Sequence, residues 1–393
     1  MSFDAEVAKV TVDGAEIPRV LVPETVDELC EALSDLQRDR QRILIVGGGT
    51  RLAFGNLGGP YDVAVSTRRL NRILHYEPDD LTLAVEPGCT IAQVHELLGQ
   101  RGQMLALDAA AADTSTIGGA YAAGLSGPRR LGGGSLKDWT IGVEAAGPSG
   151  VVAKAGGMVV KNVTGYDMMH VHHAALGAFG VVTRLNLKVF PSPGPARAVV
   201  IQYQRPQDAY AAAIALLRSQ LQPSSLIIGN RPTWTLRVRC DAPPSAIERL
   251  AERVVTTASE AAPPAQVDIL ADEAQAVAPF IDVTDLRAGL GVARIPVPAS
   301  QQLPVVELLM DDSVCADLGS GLVYVAGPPT FDWRERVIAT QQNPTFLALP
   351  ATLKEGIDVF GSVRPAAGEV IRRMKQAFDP ERLLNPGRFV LHL

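Results

Sequence analysis

Between residues 113 and 135 the chain reads Asp-Thr-Ser-Thr-Ile-Gly-Gly-Ala-Tyr-Ala-Ala-Gly-Leu-Ser-Gly-Pro-Arg-Arg-Leu-Gly-Gly-Gly-Ser, which constrains everything around it. Glycine stands at 118, 119, 124, 127, 132, 133 and 134, and few side chains are left to pack a core. Such a stretch offers backbone: close approach, positive φ and exposed N–H groups. Successive N–H groups in turn conformations form concave anion sites. Residues 116–124 are expected to open a short helix, whose N-terminus also favours an anion. Arg129 and Arg130 add positive charge. The segment is suited to wrapping a large phosphate-bearing ligand; the plainer alternative is a glycine-rich surface loop with none.

A chain of 393 residues is expected to form two domains. A net charge of -6 and 5% aromatic residues argue against a nucleic-acid surface. Cys30, Cys89, Cys240 and Cys315 lie far apart, without metal, redox or disulfide spacing. Neither a signal-peptide pattern nor an apolar run long enough to span a bilayer is seen. The expected compartment is the reducing cytoplasm, with membrane attachment only peripheral, through a partner.

Taken in order, Val20 to Val22 reads as a short strand. Thr25 and Glu28 suggest a capping box for a helix over 25–38, with Val26, Leu29, Leu33 and Leu36 at helical spacing. Ile43 to Val46 is a buried strand that runs into Gly47, Gly48, Gly49, Thr50, Arg51 and Leu52. A strand entering a glycine loop is a phosphate-binding arrangement. Leu52 occupies the third glycine position of the dinucleotide fingerprint, which disfavours a Rossmann site. Neither a P-loop nor a hydrolase elbow occurs. Strands are expected at 62–66 and 81–86, a helix capped by Thr90, a hairpin over 140–155 and a strand at 181–189. Pro191, Pro193, Gly194 and Pro195 mark a boundary. Beyond it, a βαββ-like group and a second, similar group predict short antiparallel strands with helices on one face. The last amphipathic helix is placed over 369–378.

Six segments together resemble the PCMH-type FAD-linked oxidases of the vanillyl-alcohol oxidase family. They are the loop 47–51; Val85-Glu-Pro-Gly88; Thr116-Ile-Gly-Gly119; Gly156-Gly157 with 161–167; 177–183; and Phe378-Asp-Pro with Leu384-Asn-Pro-Gly387. The likeness is greatest to the glycolate oxidase and D-lactate dehydrogenase branch. It implies an α+β fold: a two-part PCMH-type FAD-binding domain over 1–192, an α+β cap domain with an antiparallel sheet over 193–365, and a C-terminal segment, 366–393, returning to the first domain. It also implies that Gly47, Gly48, Gly49, Thr50 and Arg51 hold the pyrophosphate, with Leu52, Pro87 and Gly88 also among the cofactor-binding residues. Asp113, Thr116, Ile117, Gly118 and Gly119 would follow the ribityl and pyrophosphate portion. Ser126, Gly127 and Arg129 would lie near the flavin, and Gly180, Val181 and Val182 would meet adenine. Members that attach FAD covalently use a His in the first loop; this loop has none, so noncovalent FAD is expected.

Catalytic relatives carry a C-terminal H-x-H-x-G-D-G metal motif, whereas no histidine here falls in the expected cap domain. No metal is therefore expected. His170, His172 and His173 are read as structural. Ala174-Ala175-Leu176-Gly177 replaces the family's Gly-Ser-Glu-Gly, removing polar contacts. An FAD domain without the metal motif resembles the FAD-binding accessory subunits of glycolate oxidase. That implies a catalytic flavin subunit, an iron–sulfur subunit and a small 2-hydroxy acid substrate. Catalytic residues stay unassigned; Arg287, Arg294 and Arg364 are candidates for a substrate carboxylate, with surface salt bridging the blander role. Two alternatives stay open: a stand-alone FAD-dependent D-2-hydroxy acid dehydrogenase, and a non-catalytic scaffold stabilised by FAD.

Overall fold

Three short apolar strands, Val20–Leu21, Val63–Ser66 and Ile43–Val46, lie side by side in parallel. The helix Val26–Arg38 covers them with Leu29, Leu33 and Leu36. Thr25 caps it, its hydroxyl accepting from Glu28 N at 3.2 Å. The reciprocal bond is displaced by one residue: the Glu28 carboxylate accepts from Glu24 N. A computed structural model describes residues 9–158 and 168–393. The 161–167 motif lies outside the described residues.

A five-stranded antiparallel sheet follows, in the order Val152–Gly156, Thr140–Ala146, Val181–Lys188, Thr82–Val85, Ile73–Glu77. The edge strand Ile73–Glu77 was not legible in the sequence, because it carries no buried alternation. Two helices pack on this sheet. Ile91–Gly99 starts at a full capping box between Thr90 and Gln93. Ile117–Ala123 starts at Thr116, whose hydroxyl accepts from Gly119 N, and stops at Gly124 with φ 63°. That left-handed geometry is open to glycine without penalty, so the helix ends there.

Val10–Val12 pairs with Ala15–Ile17 and Gln103–Met104 with Phe190–Pro191, each as a two-stranded ribbon; the other strands form one eight-stranded antiparallel sheet. Chain order shows two successive βαββαβ units. The first runs Ala196–Tyr203, Pro206–Arg218, Ser225–Gly229, Trp234–Asp241, Ile247–Ala261, Gln266–Leu270; the second Gly291–Pro296, Gln302–Leu308, Ser313–Asp317, Leu322–Gly327, Phe331–Ile338, Thr345–Ala348. They join edge to edge, with Ile228 opposite Ala316. The split βαβ arrangement puts the helices of both units on one face, over the largest core. The expectation of helices on one face needs a correction. Ala278–Thr284 lies on the other face, where Phe280 and Val283 pack against Ile227, Val292, Cys315 and Tyr324. Phe54, just after the first glycine loop, joins this second core, so the cap sheet is pressed against the N-terminal half.

The helix Pro365–Phe378 leads back to the first sheet. Leu384 bridges Ile43 in parallel, Ile43 N donates to Leu383 O and Asn385 N to Ile43 O, each bond at 2.8 Å.

Candidate functional site: a cleft between two glycine loops

The two glycine loops meet backbone to backbone. A Cβ on Gly48 would stand 1.8 Å from the Thr114 carbonyl oxygen, and one on Gly118 would stand 2.4 Å from Pro87 Cβ. Gly48 is thus required by the neighbouring loop. Thr50 and Ser115 hydroxyls, 3.0 Å apart, stitch the loops together, and Ser115 donates on to Ala110 O. Gly88 N donates to Leu70 O, fixing the third loop beneath them.

This packing leaves donors over. Among the described residues, none of the backbone N–H groups of Gly47, Gly48, Gly49, Thr50 and Arg51 finds an acceptor. Five unpaired N–H groups in succession along a cleft wall form a cradle for an anion.

Of the residues expected to bind cofactor, the cleft is lined by Gly47, Gly48, Gly49, Thr50, Arg51, Leu52, Pro87, Thr116, Gly118, Gly119, Gly180, Val181 and Val182. Six lie off its walls. Ile117 is wholly buried in the core beneath. Gly88 packs under the Thr67 and Leu70 carbonyls. Asp113 precedes the helix cap without lining the cleft. Gly127 packs on the Asp108 side chain. Arg129 binds that carboxylate, Nε to Oδ1 at 2.5 Å. Ser126 lines a smaller adjoining pocket.

The C-terminal segment supplies residues that sequence reasoning treated only as a motif. Asn385 Oδ1 accepts from Ile45 N at 2.8 Å, and its Nδ2 donates to Leu176 O, joining both sides of the cleft. Arg388 lines the cleft; its Nη2 donates to the Leu52 and Phe54 carbonyls, and its buried Nη1 lies 3.9 Å from the Asp13 carboxylate. The Asn-Pro-Gly-Arg run was a signal for these positions, but nothing in it names a partner 340 residues away. His172 also lines the cleft, and burial pushes its imidazole down to about 4. Among the described residues no group of His, Cys, Asp and Glu is arranged to hold a metal.

The smaller pocket adjoins the cleft through Arg51 and Ala123, which line both. Its other walls include Ser126, Phe280, Thr284, Arg294, Tyr324 and Leu347. Of the three cap arginines singled out from sequence, only Arg294 faces it. Arg287 forms an exposed fork with Asp285, and Arg364 is exposed where the last long helix begins.

These features suit FAD. The free N–H groups match its two phosphates, and the backbone of 180–182 can take an adenine edge. Comparison with known proteins agrees. Residues 17–156 match the family described as FAD binding domain, and residues 360–389 match the C-terminal domain of FAD linked oxidases. The glycolate oxidase subunit GlcD of Bacillus subtilis is 22% identical, over 94% of this chain and 88% of its own length. The subunit GlcE of Escherichia coli is 30% identical over 53% of this chain and 58% of its own. A D-2-hydroxyglutarate dehydrogenase of Xanthomonas citri is 26% identical over 52% and 43%. The chain thus spans most of the first relative but only about half of the other two. In fold, alkyldihydroxyacetonephosphate synthase superposes with a TM-score of 0.70 at 14% identity, covering 93% of this chain and 76% of that one. The fold is that of the PCMH-type FAD-binding proteins with an α+β cap, and the cofactor is FAD.

Proposed function

Taking as premise an FAD-binding flavoprotein fold of the FAD-linked oxidase type, we propose that this chain is the FAD-carrying subunit of a glycolate oxidase complex. The complex oxidises glycolate or a related 2-hydroxy acid to the 2-oxo acid; bound FAD supplies the hydride acceptor. One observation carries the reading: past Arg51 and Ala123 the cofactor cleft continues into a pocket beneath the cap sheet. A small acid there lies between the FAD-binding half and the cap. The likeness to GlcD and GlcE, each a glycolate oxidase subunit, supports assembly with other subunits; the partners we propose are a catalytic flavin subunit and an iron–sulfur subunit. No helix among the described residues is long and apolar enough to cross a membrane. We place the protein in the cytoplasm, reaching a membrane only through the complex.

We assign cofactor contacts to the cleft-lining residues 47–52, 116, 118, 119 and 180–182 with Pro87. Gly88, Asp113, Ile117, Gly127 and Arg129 act one layer out, shaping the loops that make those contacts. The domain division we assign is 1–192, 193–365 and 366–393. Catalytic residues stay unassigned at this level.

Similarity to D-2-hydroxyglutarate and D-lactate dehydrogenases favours a second reading, a stand-alone dehydrogenase. Anaerobic mixing of the isolated FAD-loaded chain with glycolate, then D-lactate, separates the two. The subunit reading expects slow or absent bleaching of the flavin band. Bleaching near ordinary turnover, about 10 per second, supports the stand-alone enzyme and removes the subunit reading.

A further inference from the structure

Two arginines from opposite halves of the molecule face one small pocket, and neither has a partner. Arg51 follows the first glycine loop. Arg294 lies on Gly291–Pro296, directly opposite Tyr324 on the neighbouring strand. All three line the pocket with Ser126 and Thr284, and Phe54, Leu125, Phe280 and Leu347 form its apolar walls. Among the described residues, neither guanidinium makes a hydrogen bond or an ion pair, and the Tyr324 hydroxyl has no partner either. The carboxylate of Asp285 is already engaged, its two oxygens gripping Arg287 at 2.8 and 2.7 Å.

Several arginines elsewhere pair with carboxylates, Arg42 with Asp62, Arg129 with Asp108 and Arg239 with Asp241, and Arg237 at least donates to Gln275 O. Arg51 and Arg294 have no such acceptor among the described residues and share one pocket. A buried charge without a partner is costly, and two like charges in one pocket cost more. Burial pushes the Arg51 guanidinium down to about 10, and Arg294 adds to the effect although Tyr324 opposes it. Tyr324, 4% exposed, has its hydroxyl pushed well up, mainly by burial. What relieves such a pocket is an anion. The planar fork of a guanidinium matches a carboxylate, and two forks can grip one from both sides. The ring of Phe280, stacked edge-on against Tyr324 at 5.1 Å, and Leu347 leave space for a short acid and not for a bulky one.

We propose that Arg51 and Arg294, with the Tyr324 hydroxyl as a third donor, form a carboxylate site for a short monocarboxylic acid of two or three carbons. The proposal rests on the reading of the chain as a 2-hydroxy acid oxidoreductase, and it names the residues that select the substrate. Arg51 is the unexpected member. Its backbone belongs to the loop that cradles the cofactor phosphates, while its side chain points on into the second pocket. Substrate anion and cofactor therefore share one loop. By linkage, an acid that tightens this loop tightens FAD retention by the same factor.

The test uses the FAD-loaded full chain and oxamate, a two-carbon monocarboxylate with no hydroxyl-bearing carbon to oxidise. Binding is followed by perturbation of the flavin band and by the shift in melting temperature. Glycolamide, which lacks the negative charge, is the control. Arg294→Gln and Arg51→Gln are each expected to weaken oxamate by about 10- to 100-fold, the loss of one charge-assisted hydrogen-bond pair. Arg294→Lys should retain part of the affinity. Should Arg51→Gln lose FAD, Arg294→Gln and Tyr324→Phe, both in the cap, still decide the matter. Unchanged oxamate affinity in Arg294→Gln, or glycolamide binding as tightly as oxamate, overturns the site. Two failures remain distinguishable. Oxamate lost in the variants, with no bleaching by glycolate in any assembly, keeps the site and removes the oxidation reading. Bleaching by glycolate undiminished in Arg294→Gln does the reverse.

Discussion

Replacing Asp379 with Asn tests how the cofactor cleft is held shut. Asp379 is fully buried and Lys375 1% exposed, and their side chains pair at 2.7 Å. The carboxylate also accepts from Leu383 N at 3.0 Å and Leu384 N at 2.8 Å. Lys375 Nζ spends its other two protons on the Ala178 and Leu384 carbonyls, each at 2.9 Å. Every donor is matched, and the bonded backbone is the segment that bridges Ile43 and staples Ile45 through Asn385. An Asn side chain keeps the shape but removes the charge and turns an NH2 group toward a donor. Breaking one side of a buried pair costs about 3–5 kcal/mol, a large part of the roughly 5–15 kcal/mol that holds a domain folded. Urea unfolding followed by tryptophan fluorescence, with flavin release recorded in parallel, measures both consequences. We expect Asp379→Asn to lose about 3–5 kcal/mol and to release FAD before the cap unfolds. The double replacement Lys375→Met with Asp379→Leu should recover much of the loss, since an apolar pair leaves no orphaned charge. A loss under about 1 kcal/mol, the scale of an exposed pair, or a double variant as unstable as the two single losses added together, refutes the reasoning.

Gly48→Val drives a Cβ into the Thr114 carbonyl, an overpacking cost of about 1–3 kcal/mol or more; the flavin-to-protein absorbance ratio should show FAD affinity at least tenfold lower with the cap still folded. Acid precipitation should release the flavin into the supernatant, because no His or Cys stands in the first glycine loop; colour left in the pellet contradicts noncovalent binding. His172 stays neutral in the folded chain to about pH 4, whereas unfolded imidazole takes a proton near 6.5. Its folded value is lowered, so the unfolded state binds more protons between these limits and stability falls as pH falls through them. The fall is at most roughly 3 kcal/mol at 1.36 kcal/mol per pH unit; His172→Gln should flatten this part of the stability–pH curve, and an unchanged slope counts against it.

Local signals in the sequence were legible where the partners are near in the chain. Thr90, Thr116 and Gly124 bound their helices as their residue types dictate, since a cap needs only its own next three residues. The glycine loops declared an anion site, but not that Gly48 answers to Thr114. The strand Ser313–Asp317 and the helix Phe331–Ile338 carry too few residues to establish a period, and tertiary pairing supplies what propensity does not. Ala278–Thr284 is short and has a proline in its first turn, so its place on the second face follows from Phe280 meeting Tyr324. Arg51 illustrates the limit most clearly. Its backbone role was readable from the loop, whereas its side chain is defined by Arg294, which belongs to the other half of the molecule.

The staple made by Leu384 and Asn385 sets the order in which this protein can be made. Ile45 waits 340 residues for the side chain that satisfies its N–H. Closing a loop of that length costs roughly 5 kcal/mol in chain entropy by the logarithmic estimate, and a ribosome must first emit the whole cap. Until then the parallel sheet has an open edge, and the first glycine loop lacks the Arg388 contacts that fix its carbonyls. Nascent chains therefore expose an unfinished cradle that cannot retain its cofactor. FAD loading is therefore expected to follow completion of the chain, with the cofactor stabilising the docked C-terminal segment as a late folding ligand.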